Sequence, residues 1–181
     1  GRHDTLQHIY HQGQDPTDFT HVMIRRATSL DIESIMLVVR DAQLALRELG
    51  IDQWQDGYPT IDSIKEDVAC GVGYVYIEAE EVVGYAAIVT TGEEAYFEID
   101  NKWLYGDEYV VVHRLCVAKH SRRHGVAVEL MHHAASIARE HGYRAFRIDT
   151  HRGNIRMLTM LRKLGFEYVG IVHYDSGERV A

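Results

Sequence analysis

The sequence predicts an α/β (α+β) fold in a single domain, and three observations carry that prediction. Short apolar, β-branched runs recur and read as strands, at 23–26, 74–78, 82–90, 109–117, 144–150, 166–174 and 178–181. Stretches with apolar residues at helical spacing follow residues 31, 60, 125 and 154. The two kinds of segment interleave in the order β, α, α, β, β, β, α, β, α, β, β, and 181 residues suit one domain with a sizeable core.

Residues 1–22 are polar, with His3, His8, His11 and His21 and no clear periodicity. They read as an extension, native or left over from cloning, ahead of one folded domain over 23–181. Met23-Ile24-Arg25-Arg26 is the first convincing strand. Thr28-Ser29-Leu30-Asp31 reads as a capping box. The helix it opens sets Ile32, Ile35, Met36, Val39, Leu46 and Leu49 on one face and stops at Gly50. Residues 51–59 form a loop with two large aromatics, Trp54 and Tyr58. Thr60 caps a second helix, with Ile61, Ile64 and Val68 in phase, ended by Gly71. The next two strands flank the acidic turn Ala79-Glu80-Glu81 as a hairpin.

Residues 92–108 are both acidic and aromatic, with Glu93, Tyr96, Phe97, Trp103, Tyr105, Asp107 and Glu108, and only Lys102 opposing. Carboxylates and aromatic faces draw an ammonium group. A solvated loop whose aromatics pack downward is the plainer reading for most of them. Further on, strand 144–150 alternates, with Phe146, Ile148 and Thr150 on one side and Ala145, Arg147 and Asp149 on the other. Asn154 caps the fourth helix, and Asp175-Ser176-Gly177 turns between the last two strands.

Composition narrows the function classes. Hydrophobic content of 46% and charged content of 25% are those of an ordinary soluble globule. No apolar run is long enough to span a bilayer, and no charged-then-apolar leader is visible. A net charge of −8 disfavours non-specific nucleic-acid binding. Cys70 and Cys116 form no CxxC pair and read as reduced thiols, which points to a cytoplasmic location. The twelve histidines are scattered without HExxH or Cys/His spacing, so no metal is expected. Gly71-Val72-Gly73 lacks a third glycine and precedes a strand, so it is no dinucleotide fingerprint, and no P-loop occurs.

The chain is organised around residues 109–166. The strand Tyr109-Val110-Val111-Val112-His113-Arg114-Leu115-Cys116-Val117 leads into a basic segment, Lys119-His120-Ser121-Arg122-Arg123-His124. Gly125-Val126-Ala127 then opens a helix whose apolar face carries Ala127, Leu130, Met131, Ala134, Ile137 and Ala138 and which ends at Gly142. The first N–H groups of a helix lack internal partners, and its dipole adds about half a positive charge there. A glycine at that point leaves room for a phosphate, and arginines add charge-assisted contacts. An acidic protein with a local basic collar is a candidate for a phosphate-bearing ligand; spacing alone fits a solvated basic turn equally well.

Arg122-Arg123-His124-Gly125-Val126-Ala127 resembles the R/Q-x-x-G-x-G/A pattern of the GNAT superfamily of acyl-CoA-dependent N-acyltransferases, and it occupies the expected place between the fourth strand and third helix. The segment from Asn154 to Phe166 resembles the family's N-x-x-A-x-x-L-Y-x-K-x-G-F motif. Asn154, Lys163, Gly165 and Phe166 match, whereas Met157 replaces the small residue and Leu161 the tyrosine. The resemblance extends more weakly over residues 23–181. It implies a mixed, mostly antiparallel sheet with helices on both faces and a fourth strand splayed from the fifth. It implies transfer of an acetyl group from acetyl-CoA to a primary amine of a small molecule or peptide, with no nucleic-acid or membrane partner and a homodimer left open.

Site residues follow from the same resemblance. Backbone at Leu115, Cys116 and Val117 would pair with the pantetheine arm of coenzyme A, and one N–H there would polarise the thioester carbonyl. The N–H groups of Arg123, His124, Gly125, Val126 and Ala127 would hold the pyrophosphate, flanked by the Arg122 side chain, and Asn154 would touch the pantetheine arm. A lysine-like amine has a pKa of about 10.4, so its deprotonation at neutral pH costs roughly 4.6 kcal/mol and calls for a base or a water chain. Asp149, placed where some relatives carry a glutamate, and His113, beside the thioester position, are the candidates, with His151 third. The plain alternatives are a satisfied strand histidine at His113 and an ion pair of Asp149 with Arg147 or Arg114. Leu161 cannot protonate the leaving thiolate; a thiol of pKa about 8.5 leaves unaided for roughly 2 kcal/mol. Trp54, Tyr58, Trp103 and Glu108 are candidates for the acceptor pocket wall. The rival readings are a catalytically weak acyl-CoA-binding or sensing domain, suggested by Leu161, and a phosphate-ligand binder unrelated to acyl transfer.

Overall fold

A computed structural model describes residues 22–181. Most of the stretch read as an extension lies outside the described residues; Val22, assigned to it, instead opens the first strand. The elements are β1 (Val22–Arg26), α1 (Ile32–Glu48), α2 (Ile61–Ala69), β2 (Gly73–Glu78), β3 (Glu81–Val89), β4 (Tyr109–Val117), α3 (Val126–Glu140), β5 (Ala145–Arg147), α4 (Ile155–Lys163), β6 (Ile171–Tyr174) and β7 (Gly177–Val180). β1 to β5 form one five-stranded sheet in sequence order, antiparallel except for the parallel β4–β5 pair. The expected mixed sheet is therefore present.

Helices cover both faces of it, and the alternation of β3 shows how. Gly84 points toward α3: a Cβ there would lie 2.5 Å from Val126 Cγ1 and 3.3 Å from Leu130 Cδ1. Its neighbour Tyr85 points to the opposite face, where its hydroxyl reaches Asp67 of α2. The main core fills the space between sheet and helices, with Ile35, Val39, Ile64, Val75, Val83, Val110 and Leu130 all fully or nearly fully enclosed. A second cluster of Tyr96, Ile99, Tyr109, Val111, Ala145 and Val172 lies where the β3–β4 connection and β6 meet the β4–β5 edge.

The sequence-predicted caps are in place. Asp31 Oδ2 accepts from the Thr28 N–H at 2.7 Å, Thr60 Oγ1 from the Ser63 N–H at 3.2 Å, and Asn154 Oδ1 from the Met157 N–H at 3.2 Å. The connection 92–108, read as a loop whose aromatics pack downward, turns Tyr96 and Trp103 into the second cluster while Phe97 and Tyr105 stay exposed, and it holds 3₁₀ turns over Glu94–Lys102, kinked at Ile99. Two expectations are corrected. The strand predicted over 144–150 shortens to Ala145–Arg147, with a separate bridge from Thr150 to Val180. The strand predicted from 166 begins at Ile171, and β6 and β7 form their own hairpin instead of extending the main sheet.

Candidate functional site

β4 bends at its centre. Ala87 of β3 pairs with His113 and Tyr85 pairs with Cys116, so three steps along β4 face two along β3. That mismatch is a β-bulge. Arg114 sits in it with φ of 55°, left-handed backbone that is uncommon for any residue other than glycine. A buried network holds it there. Arg114 Nε and Nη2 donate to the two carboxylate oxygens of Asp67 at 2.8 and 2.6 Å, and Nη1 donates to the Tyr58 hydroxyl at 2.9 Å. The fully buried Tyr85 hydroxyl donates to the same carboxylate at 2.5 Å. Burial and the bond to Asp67 push the Tyr85 phenol far above its ordinary pKa.

Past the bulge, β4 loses its neighbour. The parallel ladder with β5 covers only Tyr109, Val110 and Val111, and β5 ends at Arg147 while β4 continues to Val117. Among the described residues no strand pairs with Leu115, Cys116 or Val117 on that side, so an extended ligand arm can pair with their backbone. The Cys116 side chain is packed in the core and its thiol is pushed up by burial, so only its backbone is available.

The basic segment closes on the N-terminus of α3. Its first turn, Lys119–Ser121, is fastened to α1: the Lys119 N–H donates to Asp41 Oδ2 at 2.8 Å and Arg122 Nη2 to the Asp41 carbonyl at 3.0 Å. Arg123 and Gly125 both have positive φ, 72° and 78°. At Gly125 a Cβ would meet nothing, so the glycine answers the backbone angle and leaves the space above it open. The His124 N–H is spent on the Ser121 carbonyl, and its ring stands 3.3 Å from Glu78. The N–H groups of Arg123, Gly125, Val126 and Ala127 have no acceptor among the described residues. Four amides at the positive end of a fifteen-residue helix, with open space at Gly125, suit a diphosphate.

Two acid–base clusters stand beside the parted strands. His113 Nε2 lies 3.0 Å from Glu93 Oε2. The hydrogen bond from His113 and the Ala95 N–H hold the Glu93 carboxyl below the usual glutamate range, against desolvation. Glu93 is itself pinned, its N–H donating to the Tyr109 hydroxyl at 2.8 Å. Asp149 Oδ2 accepts from the Tyr96 hydroxyl at 2.6 Å and the Tyr174 hydroxyl at 2.8 Å. Burial first, and then the negative charges of Asp149 and Glu93, push both phenols well above their ordinary pKa. His113 is thus paired with Glu93 and Asp149 with two tyrosines, and neither Arg147 nor Arg114 pairs with Asp149. Arg147 instead lies 4.0 Å over the Tyr109 ring and 4.7 Å over the Trp103 ring.

The four pocket-wall candidates fall in different places. Trp54 and Tyr58 meet edge-to-face, 6.3 Å between centroids, beside the Arg114 bulge. Trp103 packs in the second cluster, its indole N–H bonded to the Tyr96 carbonyl. Glu108 is exposed at the entrance to β4. Asn154 spends its carbonyl on the α4 cap, and Leu161 is buried. His151 Nδ1 accepts from the Gly153 N–H at 2.9 Å, which places its proton on Nε2. Two cavities flank this region. One of about 290 Å³ lies between Phe97, Asp107 and Arg147. The other, about 320 Å³, lies between the α1–α2 loop, the β5–α4 loop and the β6–β7 hairpin.

Sequence reasoning missed Asp67, Arg114, Tyr174 and the role of Glu93. Asp67 was findable, as a carboxylate three residues after Ile64 on the apolar side of α2. Tyr174 left no local trace, because its partner lies across the fold.

The acetyltransferase (GNAT) family matches residues 39–166. No curated protein sequence matches the chain. A GNAT-family acetyltransferase from Streptococcus agalactiae is 34% identical, with TM-score 0.78, over 88% of this chain and 92% of its own. A GNAT-family acetyltransferase from Listeria monocytogenes shares the fold at TM-score 0.67 and 19% identity, over 88% and 92% of the two chains. The aminoglycoside N-acetyltransferase AAC(6')-Iy, solved with CoA, shares it at TM-score 0.63 and 17% identity, over 86% and 93%. With a bulged fourth strand parted from the fifth, an open amide cradle after it and a family match over most of its length, this chain belongs to the GNAT acetyltransferase family.

Proposed function

We propose that this protein is an acetyl-CoA-dependent N-acetyltransferase acting directly on a primary amine. The observation that carries the reading is the continuity of the bulge, the unpaired edge of β4 and the four open amides at α3. When bound, acetyl-CoA supplies the acetyl group as a thioester. The N–H groups of Arg123, Gly125, Val126 and Ala127 would hold its pyrophosphate, with the exposed Arg123 adding charge. Leu115 to Val117 would align the pantetheine arm, and a β4 N–H would polarise the carbonyl.

His113 is the base in this reading. Glu93 keeps the proton on Nε2, which leaves the Nδ1 lone pair to take the amine proton. Asp149, held by two phenols, acts as a fixed negative charge that draws the ammonium form toward the site. Leu161 offers no proton, and a thiolate leaves without one at a cost of about 2 kcal/mol at neutral pH. Free-thiol release from acetyl-CoA with a panel of amines tests the reading. Turnover that falls about 10²–10⁴-fold in H113Q supports it; CoA binding without acceptor-dependent thiol release refutes it and favours the acyl-CoA-binding alternative that Leu161 suggests.

A further inference from the structure

The second cavity has a polarity that the acetyl-transfer reading does not use. It is formed by Asp52 and Gln53 of the α1–α2 loop, His151 and Arg152 of the β5–α4 loop, and Glu178 and Arg179 of the hairpin. Arg179 is buried, 8% exposed, yet its nearest acceptors are neutral: Nη1 donates to the Glu178 carbonyl at 2.7 Å and Nη2 to the Ser176 hydroxyl at 3.2 Å. The Glu178 carboxylate turns elsewhere, 3.8 Å from Arg152 and 3.3 Å from His173. By contrast, the half-buried Arg114 has Asp67 as its counter-ion, and the buried Arg147 is covered by the faces of the Tyr109 and Trp103 rings. Among the described residues Arg179 has none. A guanidinium has five N–H donors, so most of its capacity remains, and a buried cation without a counter-ion is costly.

Two further groups face the same space. The Gly153 N–H fixes His151 with its proton on Nε2, a second donor. Burial, and then Arg179 and Arg152, hold that imidazole below its ordinary pKa, so it stays neutral. Gln53 also lines the cavity, although its Oε1 is enclosed by protein and has no donor among the described residues. The cavity borders the proposed acetyl-transfer centre. Thr150 is bridged to Val180, so Arg179 and His151 lie beside the strand end that carries Asp149.

We propose that this cavity binds the carboxylate of the acceptor, so that the preferred substrate is an amine that also bears a carboxylate, as in an amino acid or a peptide C-terminus. The proposal rests on the acetyl-transfer reading above. Arg179 grips the carboxylate, and His151 adds a donor. A single buried cation, in a lining where Glu178 already engages Arg152, fits a monoanion better than a phosphate dianion.

The test is thiol release from acetyl-CoA with matched acceptors: β-alanine, lysine and glycylglycine against β-alaninamide, lysinamide and glycylglycinamide. Acids should exceed their amides at least tenfold in kcat/KM, through KM. R179M should bring the ratio within threefold by lowering kcat/KM for the acids, with the Kd for CoA unchanged, and R179K should retain part of the ratio. Equal use of acids and amides, turnover of amides only, or a ratio that survives in R179M overturns the proposal. The ratio in the parent protein decides if R179M does not fold. If no amine is acetylated, the acetyl-transfer reading fails separately, and calorimetry of the same compounds on the CoA complex decides the site: acids binding above amides sustain it, and equal binding ends it.

Discussion

Replacing Asp67 with alanine tests whether the bulge in β4 is held by its buried ion pair. The carboxylate takes two bonds from Arg114 and one from Tyr85, and the side chains of Asp67 and Arg114 are only 6% and 17% exposed. Truncation leaves a guanidinium largely out of water with no counter-charge, which typically costs about 3–5 kcal/mol. It also leaves the Tyr85 hydroxyl unpaired in the core, a further ~1–3 kcal/mol that will not add in full because the groups are in contact. A net loss of about 4 kcal/mol corresponds to roughly 8–16 °C in Tm for a domain of this size. In D67A/R114M the stranded charge is gone and only the phenol remains, so about half the loss should return. Urea unfolding of the parent, D67A and D67A/R114M measures all three. A D67A variant within about 1 kcal/mol of the parent, or a double variant as unstable as the single, would show that the pair does not hold the bulge.

Gly84→Ala sets a Cβ 2.5 Å from Val126 Cγ1 at the first turn of α3; it should destabilise by about 1–3 kcal/mol, weaken CoA binding, and recover in G84A/V126A. G125A meets no atom but must adopt φ of 78°, costing about 1–2 kcal/mol, and calorimetry should show a larger loss in CoA affinity than in stability if the cradle holds the diphosphate. The turn between β2 and β3 has positive φ at both Ala79 and Glu80; the double substitution to Asn-Gly should stabilise by about 0.5–1 kcal/mol in urea unfolding. Because His113 holds the Glu93 carboxyl low, the contribution of that bond is present above the unfolded-state value of about 4.3 and is lost as pH falls through the folded value. Stability curves of the parent and H113Q should therefore converge in acid, and carboxyl NMR should show Glu93 titrating higher in H113Q.

Much of the fold was legible because its signals are local. The caps at Thr28, Thr60 and Asn154 and the glycines at 50, 71, 125 and 142 act over a single turn of chain, and each lies where its spacing placed it. The loop before α3 was legible for the same reason: strand, basic turn, glycine and helix are consecutive. What escaped depends on distant chain. β6 and β7 alternate as any strands do, and nothing local in the sequence tells that they form a separate two-stranded sheet, tied by the Thr150–Val180 bridge to the chain that follows β5. The connection 92–108 reads as an acidic loop with its aromatics packed down, and only the second cluster decides that Tyr96 and Ile99 go in while Phe97 stays exposed.

The amino-acid order alone therefore specified the helices, their ends, most strands and the amide-lined turn, because periodicity and capping act within a few residues. Tertiary structure decided how the charges pair. Asp67 with Arg114, His113 with Glu93 and Asp149 with two tyrosines all depend on side chains from separate elements brought within hydrogen-bond reach. An ion pair or a proton relay is set by angstrom-scale distance in a low-dielectric interior, and separation along the chain carries no such information.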